Sequence, residues 1–257
     1  MAIIIKTKEE IDILREGGKR LGTILAMVAT HVRPGVTALE LDAVAQNEIK
    51  KLGDSAAFLG YKPAGHRIAF PAALCVSVNS EVVHGIPKEN TVLKEGDIVS
   101  IDLGLKHGGL FTDHAITVPV GAISKDKEKL LRTTRESMYE GIAAIVPGAR
   151  VGDIGHAVQS YAEKHGNYGI VRDLAGHGVG RAIHEDPFVP NYGKRGTGEK
   201  LFPGMVIAIE PMLTLGSEHL IEGRDGYTLK TEDNSAAAHF EHTVLITETG
   251  YEILTEV

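Results

Sequence analysis

Asp102, Asp113, His177, Glu210 and Glu241 stand in short apolar or glycine-rich stretches, where an ionisable group is costly unless a partner compensates it. Glu210 follows Met205-Val206-Ile207-Ala208-Ile209, a run apolar at both parities, so a strand there is expected to be buried on both faces. His177 lies in the run Gly176-His177-Gly178-Val179-Gly180, where glycines permit close backbone approach and the imidazole can present one nitrogen to a metal. Singly, each would be read as a solvated acid or a satisfied polar residue. Jointly they read as the ligands of a two-metal hydrolytic site: four carboxylates carry −4, which two divalent cations balance. Oxygen donors with one imidazole suit cobalt, manganese, iron or zinc. Two such ions can bridge a water, lower its pKa from 15.7 toward about 7 and stabilise a tetrahedral intermediate.

The settings of these residues recur. LKEGDIVSIDL around Asp102 resembles LFPGMVIAIEP around Glu210, and TDHAITV around Asp113 resembles FEHTVLI around Glu241. Thr7 with Glu10 forms a capping box before a helical pattern, and Thr37 with Glu40 repeats the device before a second helix ending near Gly53. A helix from about Lys127 to Ile145 follows, then one from about Val151 to His165 stopped by Gly166. Pro34-Gly35 and Gly53 return as Pro147-Gly148 and Gly166 at one offset of 113 (53 + 113 = 166). The expected organisation is one catalytic domain over 1–257, built of two pseudo-symmetric halves, about 1–121 and 122–257, with the site between them.

Residues 98–118 read as a hairpin flanking Lys106-His107-Gly108-Gly109. With His107-Gly108 as a two-residue turn, Asp102 would lie directly opposite Asp113, with Cβ atoms about 4.5–5.5 Å apart. A metal between them would turn repulsion into chelation.

A net charge of −7, or −7 + 4 = −3 with the site carboxylates neutralised, argues against direct nucleic-acid binding. The basic stretches Lys62–Arg67 and Lys194-Arg195 read as solvated loops. One cysteine, Cys75, excludes an intrachain disulfide framework and fits a reducing, cytoplasmic location. The opening MAIIIKTKEE is too short an apolar stretch for a signal peptide, and no run is long enough to span a bilayer.

The segments LCVSVNSEVVHGIP, GDIVSIDLG, FTDHA, GHGVGRAIHEDP, PGMVIAIEPM and HFEHTV resemble those of type I methionine aminopeptidases, over nearly the whole chain. The resemblance implies the α/β (α+β) pita-bread fold, a central antiparallel sheet flanked by helices. It implies that Asp113 and Glu241 bridge two divalent ions, that His177 and Glu210 complete one and that Asp102 chelates the other. Glu210 would also shuttle the proton, His184 would bond the scissile carbonyl, and His84 would bond the backbone of the next residue. Tyr61, Phe70, Cys75, His84 and Tyr227 would wall the methionine pocket, with Cys75 as a wall and not a nucleophile.

The chain departs from the family pattern at three places. Eight residues, Lys62 to Ala69, separate Tyr61 from Phe70 where the commoner spacing is much shorter; Tyr227 stands where bacterial relatives often have tryptophan; Ile183 replaces a common phenylalanine. The implied substrate is the N-terminal methionine of a nascent polypeptide with a small second residue, met by a monomer in transient contact with the ribosome. Proline-directed aminopeptidases and prolidases share the ligand set, but usually carry an extra N-terminal domain, and only about 75 residues precede LCVSVN here. A non-catalytic binding module would have lost ligands, and a metal-free hydrolase of the same fold would not need the intact carboxylates.

Overall fold

Thr7 and Thr37 each cap a helix as their spacing predicts: both accept the N–H of the glutamate three residues on, whose side chain returns to the capping N–H. The computed structural model describes residues 3–63 and 65–257; Met1, Ala2 and, within the Lys62–Ala69 stretch, Ala64 lie outside the described residues. Its helices are α1 (Lys8–Thr30), α2 (Ala38–Leu52), α3 (Lys125–Ala143) and α4 (Val151–His165). The strands of the first half are β1 (Ser55–Ala56), β2 (Leu74–Val78), β3 (Glu81–Val83), β4 (Ile98–His107) and β5 (Leu110–Pro119). Those of the second are β6 (Gly169–Ile170), β7 (Ala175–Gly178), β8 (Glu185–Pro190), β9 (Val206–Ile209), β10 (Met212–Thr214), β11 (Leu220–Glu222), β12 (Leu229–Thr231), β13 (Ala237–His239), β14 (His242–Ile246) and β15 (Tyr251–Ile253).

Three helix ends differ from expectation. The third helix starts two residues earlier because Ser124 caps it, accepting the Lys127 N–H, and it ends at Ala143, two residues before the expected Ile145. Gly53 ends α2 in the left-handed region, whereas Gly166 ends α4 with extended backbone.

Two antiparallel sheets carry the site: β1-β4-β2 with β5 on β4, and β15-β14-β9-β7-β8. They join along β5 and β14. There Ala115 and Glu241 exchange backbone bonds, Thr243 Oγ1 bonds both N and O of Asp113, and Thr117 Oγ1 bonds both N and O of His239. The threonine bonds of this seam come in matching pairs, and spans of equal length recur outside it. α2 shifted by 113 gives the span of α4 (38 + 113 = 151, 52 + 113 = 165). The bridges Thr37↔Val92 and Arg150↔Lys200 correspond, as do the Gly96–Val120 and Gly204–Ile246 hydrogen bonds.

Those correspondences correct one expectation. Asp102 does match Glu210 (102 + 108), but the seam matches Thr117 to Thr243 at an offset of 126, so Asp113 matches His239 and Glu241 matches Ala115.

Alternation along the strands separates core from site. On β4, Val99, Ile101, Leu103 and Leu105 pack with Leu21, Leu25 and Leu41 of α1 and α2, while Asp102 takes the opposite face. On β9, Ile207 and Ile209 pack with Met138, Ile142 and Ile154 of α3 and α4, and all four strand residues are buried, as the unbroken apolar run predicts. Among the described residues no helix is long and apolar enough to cross a membrane.

Candidate functional site

β4 turns into β5 through Gly108-Gly109, both at positive φ, which suits the two-residue turn of a hairpin. His107 pairs with Leu110, so Asp102 faces Ala115 and Asp113 faces Gly104. The expected direct opposition of Asp102 and Asp113 is therefore wrong by two residues. They are diagonal neighbours on one face, about 7–8 Å apart at that spacing, which leaves room for more than a single shared contact.

His177 enters from β7. Its flanking glycines are required sterically: a Cβ on Gly176 would lie 2.2 Å from the Ala208 carbonyl oxygen, and one on Gly178 would lie 2.2 Å from that of Asp186. A carbonyl can only accept, so His177 Nδ1, 2.9 Å from the Gly178 oxygen, carries the proton. Nε2 then offers a lone pair toward Glu210 Oε1 at 3.4 Å and Asp113 Oδ2 at 4.0 Å. Burial pushes the imidazole down to about 3, so it remains neutral. Lone pairs facing one another in this way call for a metal ion or a bound proton between them.

Asp113, His177 and Glu241 each offer a ligand atom within 4.8 Å of the others. Asp102 Oδ1 and Glu241 Oε1 are buried without a hydrogen-bond partner among the described residues, and such orphaned acceptors cost free energy unless an ion engages them. Burial raises Asp102 to about 7, and it raises Asp113, Glu210 and Glu241 well above the carboxylate range, reinforced by the neighbouring carboxylates. The donor set fits divalent metal: among the described residues no lysine or arginine pairs with these carboxyls, which leaves a metal ion or bound protons to neutralise them.

The carboxylates form the floor of a cavity of about 380 Å³ that all five expected ligands, His84, His184, Tyr61, Phe70, Cys75 and Tyr227 line together. His84 reaches it through a left-handed backbone (φ 58°), and the next position has no room for a side chain, since a Cβ on Gly85 would lie 2.1 Å from the Val76 oxygen. Enclosure by protein pushes His84 down to about 4. His184, at the mouth, has its Nδ1 3.1 Å from the Tyr61 hydroxyl and its ring against that of His177; burial of its inner side lowers its pKa. Cys75 pairs with Asp102 across β2 and β4, and burial, then the carboxylate charges, push its thiol up. A protonated, enclosed thiol suits a wall and not a nucleophile.

Phe70, Cys75 and Tyr227 share one small apolar cluster with Ala72. The Lys62–Ala69 stretch leaves Tyr61 and Phe70 side by side: Phe70 N–H donates to the Tyr61 oxygen at 2.8 Å and Gly60 N–H to the Phe70 oxygen at 2.9 Å.

Several cavity residues escape the sequence reading. Phe58, Pro63, His66, Leu174 and Phe188 line it, and so does His239. His66 belongs to a stretch read as a solvated loop; Lys62 and Arg67 are exposed, but His66 turns inward. His239 is buried, with Nε2 3.6 Å from Glu210 Oε2 and 3.9 Å from Glu241 Oε2 and, among the described residues, no hydrogen-bond partner at either nitrogen. Its signal lay in HFEHTV: it stands two residues before Glu241, the spacing at which extended chain turns side chains to the same side.

The sequence model of metallopeptidase family M24 matches residues 12–248. The methionine aminopeptidase of Aquifex aeolicus is 49% identical over 261 residues, covering 100% of both chains. Methionine aminopeptidase 1 of Bacillus subtilis is 47% identical over 99% of this chain and 100% of its own. The crystal structure of methionine aminopeptidase from Thermotoga maritima superposes with a TM-score of 0.94 at 45% identity, with both chains covered entirely. Agreement of that extent in sequence and in backbone makes the fold a pita-bread fold, and the chain belongs to metallopeptidase family M24.

Proposed function

We propose that the protein removes the N-terminal methionine from polypeptides whose second residue is small, acting as a two-metal aminopeptidase. The observation that carries this reading is one cavity that joins an uncompensated carboxylate cluster to an apolar recess walled by Phe70, Cys75 and Tyr227. Such a recess suits an unbranched, polarizable side chain.

Asp102, Asp113, His177, Glu210 and Glu241 would hold the two divalent ions. Cobalt, manganese, iron or zinc fits that donor set. When bound, such ions would supply the Lewis acidity that acidifies a water and offsets negative charge developing on the peptide carbonyl. Glu210, raised by burial, accepts a proton at one carboxylate oxygen and passes it to the leaving amine. The Tyr61 hydroxyl lies 3.1 Å from His184 Nδ1; in the tautomer in which the hydroxyl donates, the His184 proton stands on Nε2 and would bond the scissile carbonyl. His84, neutral at ordinary pH, bonds the backbone of the second residue. The physiological substrates are nascent chains, met in the cytoplasm by a monomer in transient contact with the ribosome.

The reading is tested by chelating the protein, reloading it with cobalt or manganese and offering Met-Ala-Ser, Met-Lys-Ser and Ala-Pro-Ser together. Methionine should leave Met-Ala-Ser alone, and only with metal. Cleavage of Ala-Pro-Ser instead would move the protein to a proline-directed activity, and no cleavage with any metal would abandon catalysis.

A further inference from the structure

The ring of Tyr227 forms one wall of the recess, and residues of the Lys62–Ala69 stretch supply two of the contacts that hold it. His66 lies over the ring, with centroids 4.6 Å apart and planes inclined by 36°. The Tyr227 hydroxyl donates to the Ile68 carbonyl at 2.7 Å. Phe70 meets the ring edge-on at 5.2 Å. On the far side Asp225 accepts the Tyr227 and Thr228 N–H groups, so the backbone is fixed by its own turn and the ring by the facing stretch. The ends of that stretch are closed by the Tyr61–Phe70 hydrogen bond, and the His66 N–H donates to the Pro63 oxygen, folding the imidazole inward.

We propose that His66 is a specificity-determining residue: laid on Tyr227, it closes the outer side of the recess and limits the N-terminal side chain to one as slender as a thioether chain. This rests on the proposed aminopeptidase activity. The chemistry asks little of the imidazole nitrogens and much of the ring. A flat ring of similar breadth at position 66 keeps Tyr227 in place, and its removal lets Tyr227 swing and opens the recess to branched or aromatic side chains.

The experiment compares His66→Ala and His66→Phe with the unchanged protein on Met-Ala-Ser and Phe-Ala-Ser, after denaturant midpoint and metal content have shown that both variants fold and load. In His66→Ala, KM for Met-Ala-Ser is expected to rise about three- to tenfold, the worth of one ring–ring contact, with kcat within about twofold. Discrimination against Phe-Ala-Ser should fall in parallel, and His66→Phe should restore both. Unchanged KM and selectivity in His66→Ala, or a His66→Phe that behaves like it, overturns the proposal. If the unchanged protein cleaves nothing, the activity has failed and the wall is tested separately. L-methionine is titrated into chelated protein while the His66 ring protons, assigned by their absence from His66→Phe, are followed by NMR. A shift of those protons retains the wall, and none overturns it.

Discussion

Lys6 Nζ lies 2.6 Å from Glu185 Oε2, and both side chains are almost wholly buried although 179 positions separate them in the chain. The other Glu185 oxygen accepts the Arg181 and Ala182 N–H groups, so the ion pair anchors the turn that presents His184. Gly180 is the glycine that lets the lysine through: a Cβ there would lie 2.2 Å from Lys6 Cε. Lys6→Met strands the glutamate without its cation, which costs about 3–5 kcal/mol for a buried pair. Urea denaturation should show this loss, and Lys6→Met with Glu185→Gln should recover part of it. A single variant as stable as the parent would mean that water reaches Glu185.

The metal-free protein should pay for its carboxylates as pH rises. Asp113 is raised by burial and then by Asp102 and Glu210. A carboxyl raised on folding binds more protons folded than unfolded, so its contribution is fully present below the unfolded value of about 4 and is lost as pH rises through the folded one. Chelated Asp113→Asn should therefore match chelated parent near pH ~4 and melt progressively higher than it toward neutrality. The measurement is Tm against pH for the two chelated proteins, and a gap that closes with rising pH would contradict the buried, uncompensated cluster.

Gly176→Ala drives a methyl group into the Ala208 backbone oxygen on β9, the strand that leads to Glu210. Overpacking of that kind costs about 1–3 kcal/mol, and because the displaced strands carry His177 and Glu210, metal content should drop together with stability. Full metal occupancy in a destabilised variant would show that the strands part elsewhere.

His239 Nε2 lies 3.6 Å from Glu210 Oε2 and 3.9 Å from Glu241 Oε2, just beyond hydrogen-bond distance, and would steady either carboxylate as an N–H donor once a bound ion draws them into place. Partners of this kind are worth about 10–100-fold in metal affinity. Calorimetric titration of cobalt into His239→Leu should show such a loss, and His239→Gln, which keeps an N–H donor, should retain most of the affinity. Equal affinities in all three proteins would reduce His239 to a filler of space.

Helix ends are legible in this sequence because side chains mark them: Thr7 and Thr37 with their glutamates, and Gly53 at positive φ. The cluster is legible because charged residues interrupt apolar strands, as Glu210 does after β9. Two expectations fail, and both fail by two residues. The hairpin pairs Asp102 with Ala115 and not with Asp113, and the repeat matches Glu241 to Ala115 and not to Asp113. A shift of two keeps every side chain on its own face, so alternation of apolar and polar residues cannot detect it. Only the Gly108-Gly109 turn and the threonine bonds of the seam reveal it. His66 and Phe58 were illegible for another reason: they reach the cavity from irregular chain, where no period announces which way a side chain points.

The same geometry makes the protein unequally tolerant of changes in chain length. A single residue inserted at Gly108-Gly109 would shift β5 by one against β4 and carry Asp113 to the opposite face of the sheet. Insertions or deletions between Tyr61 and Phe70 leave the β4–β5 pairing untouched, because the backbone bonds of those two residues close the segment off from the strands. Variation in length should therefore accumulate beside the recess, where it retunes selectivity, and be purged at a distant two-residue turn that touches no substrate.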